Sequence, residues 1–212
     1  MELWAVVVAA GSGSRFGRPK QLMPLAGERV IDRSIRALQP HVAGVVVVGP
    51  PELGTADSLA VDVRVAGGET RSDSVRAGLD ALPQSASHVL VHDAARPLVV
   101  DAVVCRVVDA LRSGAGAVVP VVAVVDTLRQ RKGPAVNRDE LVAVQTPQGF
   151  VVDQLASAHS GGGVATDDAS LIEQNGGTVT HVEGSADNIK ICLLYTSPSP
   201  RDATLSRMPS SA

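Results

Sequence analysis

The residues Ala9-Ala10-Gly11-Ser12-Gly13-Ser14-Arg15-Phe16-Gly17-Arg18-Pro19-Lys20 are the first in the chain whose types and spacing could do chemistry. They follow an apolar run from Leu3 to Val8. A glycine-rich turn at the carboxyl end of a first strand lets backbone N–H groups close on a phosphate. Spacing separates the possible loops. A dinucleotide fingerprint has glycines at relative positions one, three and six, whereas counting from Gly11 the third glycine, Gly17, stands at seven. A P-loop ends in Gly-Lys-Ser/Thr, whereas Lys20 lies between Pro19 and Gln21. What remains is a longer loop carrying Arg15, Arg18 and Lys20, cations suited to the several charges of a triphosphate. Without those cations the same turn would read as a plain strand–helix connection.

Other candidate residues are more dispersed. Asp93 ends an apolar strand, where a carboxylate can bind ribose hydroxyls or, through water, a magnesium ion. Taken alone, it reads first as a cap for the helix that follows. His88 and His92 lie four apart on that strand, about 13 Å from each other and too far to share zinc; they read as partly buried, hydrogen-bonded histidines. Thr166, Asp167 and Asp168 before Ala169-Ser170-Leu171-Ile172 read as a helix start. Arg138 and Lys190, taken alone, read as solvated surface charges.

The elements that must position these residues alternate. Leu3–Val8, Val45–Val48, Val61–Val65, Val89–Val91 and Ala117–Val119 are short apolar runs, expected of strands covered on both faces. Between them Ile31, Ile35 and Leu38 share one helical face, as do Val75, Leu79 and Leu82, and as do Val103, Val104, Val107, Val108 and Leu111. This predicts an α/β, Rossmann-like fold, a mostly parallel sheet with helices on both faces. Residues 120–145 break the pattern as strand, polar turn (Lys132-Gly133-Pro134) and strand. Such a hairpin arm is marginal alone and should pack against something, such as a second subunit.

Composition sets the outer limits. With 45% apolar residues in 212, there is ample surface to offset ordering entropy. A net charge of −3 and an aromatic content of 2% exclude a basic surface or a base-stacking platform, so no nucleic-acid partner is expected. Two cysteines, Cys105 and Cys192, cannot build a disulfide framework and fit a reducing compartment. No stretch approaches the ~20 apolar residues of a membrane span, and the apolar start follows Met1-Glu2 rather than a basic leader, so a cytoplasmic location is expected. The chain divides into a domain over 1–191 and a tail over 192–212. The tail, rich in Ser and Pro, has a disordered composition and the look of translated vector sequence.

Six blocks carry a resemblance. Ala9-Ala10-Gly11-x-Gly13-x-Arg15 with Pro19-Lys20-Gln21 resembles the nucleotide loop of the cytidylyltransferases that activate polyol phosphates. Gly67-Gly68-Glu69-Thr70-Arg71-Ser72-Asp73-Ser74-Val75 is similar to that family's second nucleotide loop, and His92-Asp93-Ala94-Ala95-Arg96-Pro97 to its block after a central strand. Gln145-Thr146-Pro147-Gln148, Thr166-Asp167-Asp168-Ala169-Ser170 and Asn188-Ile189-Lys190 complete the set, in order, over residues 1 to about 191. The branch it resembles most acts on 2-C-methyl-D-erythritol 4-phosphate in the non-mevalonate isoprenoid route.

The resemblance implies transfer of a cytidylyl group from CTP to that polyol phosphate, with release of pyrophosphate and with magnesium accompanying the triphosphate. It implies that Arg15, Lys20, Arg138 and Lys190 are catalytic. Ala9, Ala10, Gly11, Gly13, Gly67, Arg71, Ser74 and Asp93 would bind CTP. Asp93, Ala94, Thr127, Arg138, Thr146 and Thr166 would bind the polyol phosphate. It also implies a homodimer in which the arm reaches across to a shared site. After Lys190-Ile191 the family continues into a Thr and a final helix; the different residues here predict a marginally stable fold of reduced activity. A ribitol 5-phosphate enzyme is the nearest rival, although Ala95 stands where that relative tends to carry Val. A nicotinamide oxidoreductase is opposed by the glycine spacing and by Gly49-Pro50-Pro51 where an acidic residue should end the second strand. A non-catalytic nucleotide-binding dimer is a third possibility, which would bind triphosphate without turnover.

Overall fold

The computed structural model describes residues 1–11, 20–50, 53, 61–161, 165 and 167–191. Gly13, Arg15, Arg18, Thr166 and the tail lie outside the described residues.

Strand β1 (Leu3–Val8) is the run Leu-Trp-Ala-Val-Val-Val, and it lies near the middle of the sheet. Parallel neighbours flank it on both sides, β4 (Gly44–Val48) and β6 (His88–Asp93). The edge beyond β4 is β5 (Val63–Val65). Beyond β6 comes β9 (Gln148–Val151), which runs antiparallel to it. Then follow β7 (Ala117–Ala123), antiparallel to β9, and β10 (Thr180–Glu183), parallel to β7. The ribbon of β2 (Pro24–Leu25) and β3 (Glu28–Arg29) stands apart. The sheet is thus mostly parallel with β9 reversed inside it, a strand that its short Gln-Gly-Phe-Val sequence does not advertise.

Alternation along β1 divides the core into two halves. Ala5 and Val7 pack with α1 (Val30–Leu38) and α3 (Asp101–Arg112), whereas Val6 packs on the opposite face with α2 (Arg71–Asp80), α4 (Val152–Ser160) and α5 (Asp168–Gln174). Ile31, Ile35 and Leu38 are each fully buried, contributing about 1.5–3 kcal/mol apiece. Helix α2 sits close because Gly78 faces Val6, where a Cβ would collide with the valine side chain. Leu82, placed on this helix by its spacing, lies just past its end. The capping role for Asp93 fails, since the next helix starts only at Asp101.

The arm leaves the sheet at the end of β7. It carries the bridge Arg129–Ala135 around the Lys132-Gly133-Pro134 turn and a 3-10 turn at Arg138–Glu140, and returns as β8 (Val142–Val144), antiparallel to β7. Val125, Leu128, Leu141, Val142 and Val144 are exposed along it. Among the described residues no helix is long and apolar enough to cross a membrane.

Candidate active site

The carboxyl ends of β1 and β6 open into a cavity of about 470 Å3. Its floor is Val8 to Gly11 and Asp93 to Ala95, its sides are Gly68 to Arg71 with Ser74, and its rim holds Lys20 and Lys190. This is where ligands bind in open α/β sheets.

Asp93 is the hub. Its Oδ1 accepts from Arg71 Nε at 3.3 Å and its Oδ2 from Lys190 Nζ at 2.6 Å. Burial would raise the Asp93 carboxyl, but Arg71 and then Lys190 outweigh it and hold it well below the usual carboxylate range. Arg71 reaches the other way as well: its Nη1 donates to Asp168 Oδ2 at 2.8 Å, while Asp168 Oδ1 meets His159 Nε2 at 3.0 Å. Burial works against the Arg71 charge, yet the carboxylates of Asp168 and Asp93 keep it above its ordinary value. A chain of polar contacts therefore runs from Lys190 at the rim through Asp93, Arg71 and Asp168 to His159 in the core. Lys20 Nζ donates to Ile191 O at 2.7 Å, which sets the second ammonium beside the Lys190 segment.

Backbone shape is fixed by small residues and local bonds. A Cβ on Gly67 would collide with that of Ala10, so only glycine lets the second loop lie against the first. Thr70 caps α2 through a capping box with Asp73, its Oγ1 accepting from Asp73 N at 3.0 Å. Ser74 Oγ accepts from Gly68 N at 3.2 Å and donates to Thr70 O at 3.0 Å, so the hydroxyl shapes the loop. Gln21, buried, donates to Ala9 O at 2.6 Å and Gly11 O at 3.2 Å, tying the Lys20–Leu22 turn to the end of β1.

Behind Asp93 lies a fixed proton order. Asp93 N donates to Thr146 Oγ1 at 3.1 Å, and Thr146 Oγ1 lies 3.0 Å from His92 Nδ1. His92 Nε2 faces the Arg96 carbonyl at 3.2 Å. A carbonyl can only accept, so Nε2 carries the proton and Nδ1 accepts from the threonine. His92 is neutral there, its pKa pushed down to about 4 by burial. The unfolded chain takes up a proton near the ordinary value of 6.5 that this histidine refuses. Its contribution is present above pH 6.5 and is lost as pH falls toward 4, at a slope approaching ~1.4 kcal/mol per pH unit. Asp93, depressed as a carboxylate, contributes above its ordinary 3.8 and is lost only in stronger acid. Urea midpoints between pH 7 and 4.5 should fall for the natural chain and fall less steeply for His92→Gln; equal slopes would remove His92 from the account.

A family model for IspD, 2-C-methyl-D-erythritol 4-phosphate cytidylyltransferase, matches residues 3–196. The chain belongs to that family. A relative carrying that enzyme name, from Streptomyces avermitilis, is 44% identical over 214 residues, covering 88% of this chain and 85% of its own. The bifunctional IspD/IspF enzyme of Solidesulfovibrio magneticus is 43% identical over 217 residues, covering 90% of this chain and 54% of its own. This chain thus spans about half the length of the bifunctional relatives it matches. The crystal structure of 2-C-methyl-D-erythritol 4-phosphate cytidylyltransferase from Thermus thermophilus superimposes with a TM-score of 0.79 at 36% identity, covering 97% of each chain.

Within this cytidylyltransferase fold the expected residues part into three groups. Ala9, Ala10, Gly11, Lys20, Arg71, Ser74, Asp93, Ala94 and Lys190 line one cavity, with Gly67 directly behind Ala10. Thr146 is buried beneath Asp93 with its hydroxyl engaged. Thr127 and Arg138 stand exposed on the arm, outside the residues that line the cavity, and Arg138 donates to Val125 O.

The residues missed by sequence reasoning are those that hold the others. Asp168 looked like helix punctuation, yet Asp167 is the cap, accepting from Ser170 N at 3.1 Å, which leaves its neighbour for Arg71. Two adjacent acids where one suffices was the available signal. Asn188, fully buried, donates to Thr146 O at 2.9 Å and to Gln145 Oε1 at 3.3 Å, joining the Lys190 segment to the root of the arm.

Proposed function

We propose that the chain transfers the cytidylyl group of CTP to 2-C-methyl-D-erythritol 4-phosphate, releasing pyrophosphate, as a step toward isoprenoid precursors. The observation that carries this reading is the gathering of three cations in one cavity at the carboxyl ends of β1 and β6, Arg71 and Lys190 on the Asp93 carboxylate and Lys20 on the same lining. An acceptor phosphate is ionised at neutral pH, so no strong general base is required. Its oxygen attacks the α-phosphorus as the bond to the bridging oxygen breaks, and pyrophosphate leaves with the electron pair. The protein's part is to align these groups and offset the growing negative charge. Lys20 and Lys190 do this at the rim, and Arg15, five residues before Lys20 in the sequence, would add a third cation. Gly67, Gly68 and the start of α2 offer backbone to the base, held in shape by Ser74.

Both oxygens of Asp93 already accept from cations. The donors present therefore suit a magnesium ion carried on the triphosphate with its own waters, which Asp93 would reach through water. Bound there, the ion would neutralise phosphate charge. The apolar exposure of the arm supports a homodimer in which Arg138 and Thr127 serve the neighbouring pocket, and Thr166 lies close in sequence to Asp168 for the acceptor phosphate. The scarcity of cysteine supports a cytoplasmic setting.

The test is magnesium-dependent pyrophosphate release from CTP with 2-C-methyl-D-erythritol 4-phosphate or ribitol 5-phosphate as acceptor. Release with the first alone is the expected result. Release with ribitol phosphate alone would overturn the substrate, and silence with both would overturn the activity.

A further inference from the structure

Away from the cavity, three side chains of different donor type converge at the start of α3. His41 closes the 3-10 turn Gln39–His41 that follows α1. Asp101 and Cys105 are four apart in α3 and so share one helix face. His41 Nε2 lies 2.7 Å from Asp101 Oδ1, and Cys105 Sγ lies 3.5 Å from Asp101 Oδ2. One donor atom from each residue falls within 4.8 Å of the others, and among the described residues no other His, Cys, Asp or Glu trio does so. None of the three lines the cavity.

We propose that His41, Asp101 and Cys105 form a binding site for a zinc-class divalent cation, with water in the fourth position. A nitrogen, an oxygen and a sulfur donor together suit a borderline-soft ion and not magnesium, which takes oxygen ligands. Tetrahedral zinc at ordinary bond lengths sets nitrogen and oxygen donors about 3.3 Å apart and sulfur and oxygen donors about 3.5 Å apart. The nitrogen contact is to Oδ1 and the sulfur contact to Oδ2, so the exposed carboxylate must turn to place one oxygen at both spacings, with one donor atom of each residue already within 4.8 Å of the others. The histidine side chain is 14% exposed and so held in place, whereas that of Asp101 is 77% exposed and offers the ion an entry path. Without a cation the thiol stays protonated, its pKa raised by burial and by Asp101 and Asp109 against Arg112, so binding displaces a proton to solvent. Once bound, the ion would cross-link the turn after α1 to the first turns of α3, the helix that follows the Asp93–Ala95 floor of the cavity.

The experiment uses the full chain, stripped with a chelator and titrated with cobalt(II). One equivalent should bring up a thiolate-to-cobalt charge-transfer band and the visible bands of a tetrahedral ion, and zinc should abolish both. Cys105→Ser should erase the charge-transfer band, Cys192→Ser should keep it, and His41→Gln should weaken cobalt binding at least tenfold. Zinc at one hundred times its Kd should raise the folded-to-unfolded ratio about 100-fold in the natural chain and leave Cys105→Ser unmoved. Circular dichroism checks that the variants fold. No charge-transfer band at millimolar cobalt, or a band that survives Cys105→Ser, would overturn the site. Displacement of cobalt by equimolar magnesium would overturn the donor assignment.

Discussion

Asp168→Ala should lower folding stability by about 3 kcal/mol, toward the lower end of what breaking a buried charge pair costs. One carboxylate serves two partners, Arg71 through Oδ2 and His159 through Oδ1. Removing it strands His159, whose side chain is 2% exposed and whose Nδ1 has no hydrogen-bond partner among the described residues. Arg71 keeps Asp93 and some access to solvent, which moderates the loss. The reading is the urea midpoint at constant slope. Asp168→Asn keeps the volume and one acceptor, so it should cost less while leaving Arg71 to lean on Asp93; its KM for CTP should then rise with little change in melting. A natural midpoint in Asp168→Ala would show that the buried charges do not hold this corner together.

Lys20→Ala and Lys190→Ala should each cut kcat by about 10²–10³-fold, the usual loss of one preorganised charge at a transition state. Neither should unfold the chain. Lys190 is partly exposed, and Asp93 keeps Arg71 if Lys190 goes. Lys20 contacts the carbonyl of Ile191, whose segment is separately anchored by Asn188 and by Arg96, which donates to Asn188 O at 2.6 Å. The split between constants separates roles. A charge felt mainly by the leaving pyrophosphate lowers kcat, whereas one that only gathers CTP raises KM. Wild-type kcat in either variant would withdraw its catalytic assignment.

How legible these features were depended on local signals. Strand β1 and its loop stood out because an uninterrupted apolar run met a glycine-rich cationic turn. Strand β10, Thr-His-Val-Glu, is an edge strand with mostly exposed residues and gives no apolar run. Helix α4, with two Ala and two Ser among its nine residues, buries only Leu155, Ala158 and His159, too narrow a stripe to set a period. Within the site, side chains that face the cavity belonged to recognisable blocks. Those that act from behind were harder to read: His159 lies in none of the blocks, and Asp168 and Asn188, though inside two of them, matter through residues far along the chain, pairings that leave no local pattern. Thr146 shows the converse, since its block was legible but its hydroxyl is spent beneath Asp93.

The reversed strand β9 has a consequence for how such a protein can change. The chain leaves β7 and re-enters β9 at the same rim as the cavity, so whatever lies between is an excursion that starts and finishes beside the reacting groups. That excursion can lengthen, shorten or be exchanged without shifting the register of any strand in the central sheet. On the proposed function, nucleotide recognition built on β1, α2 and β6 would be inherited as a fixed chassis, and acceptor choice would be open to revision by remodelling the arm.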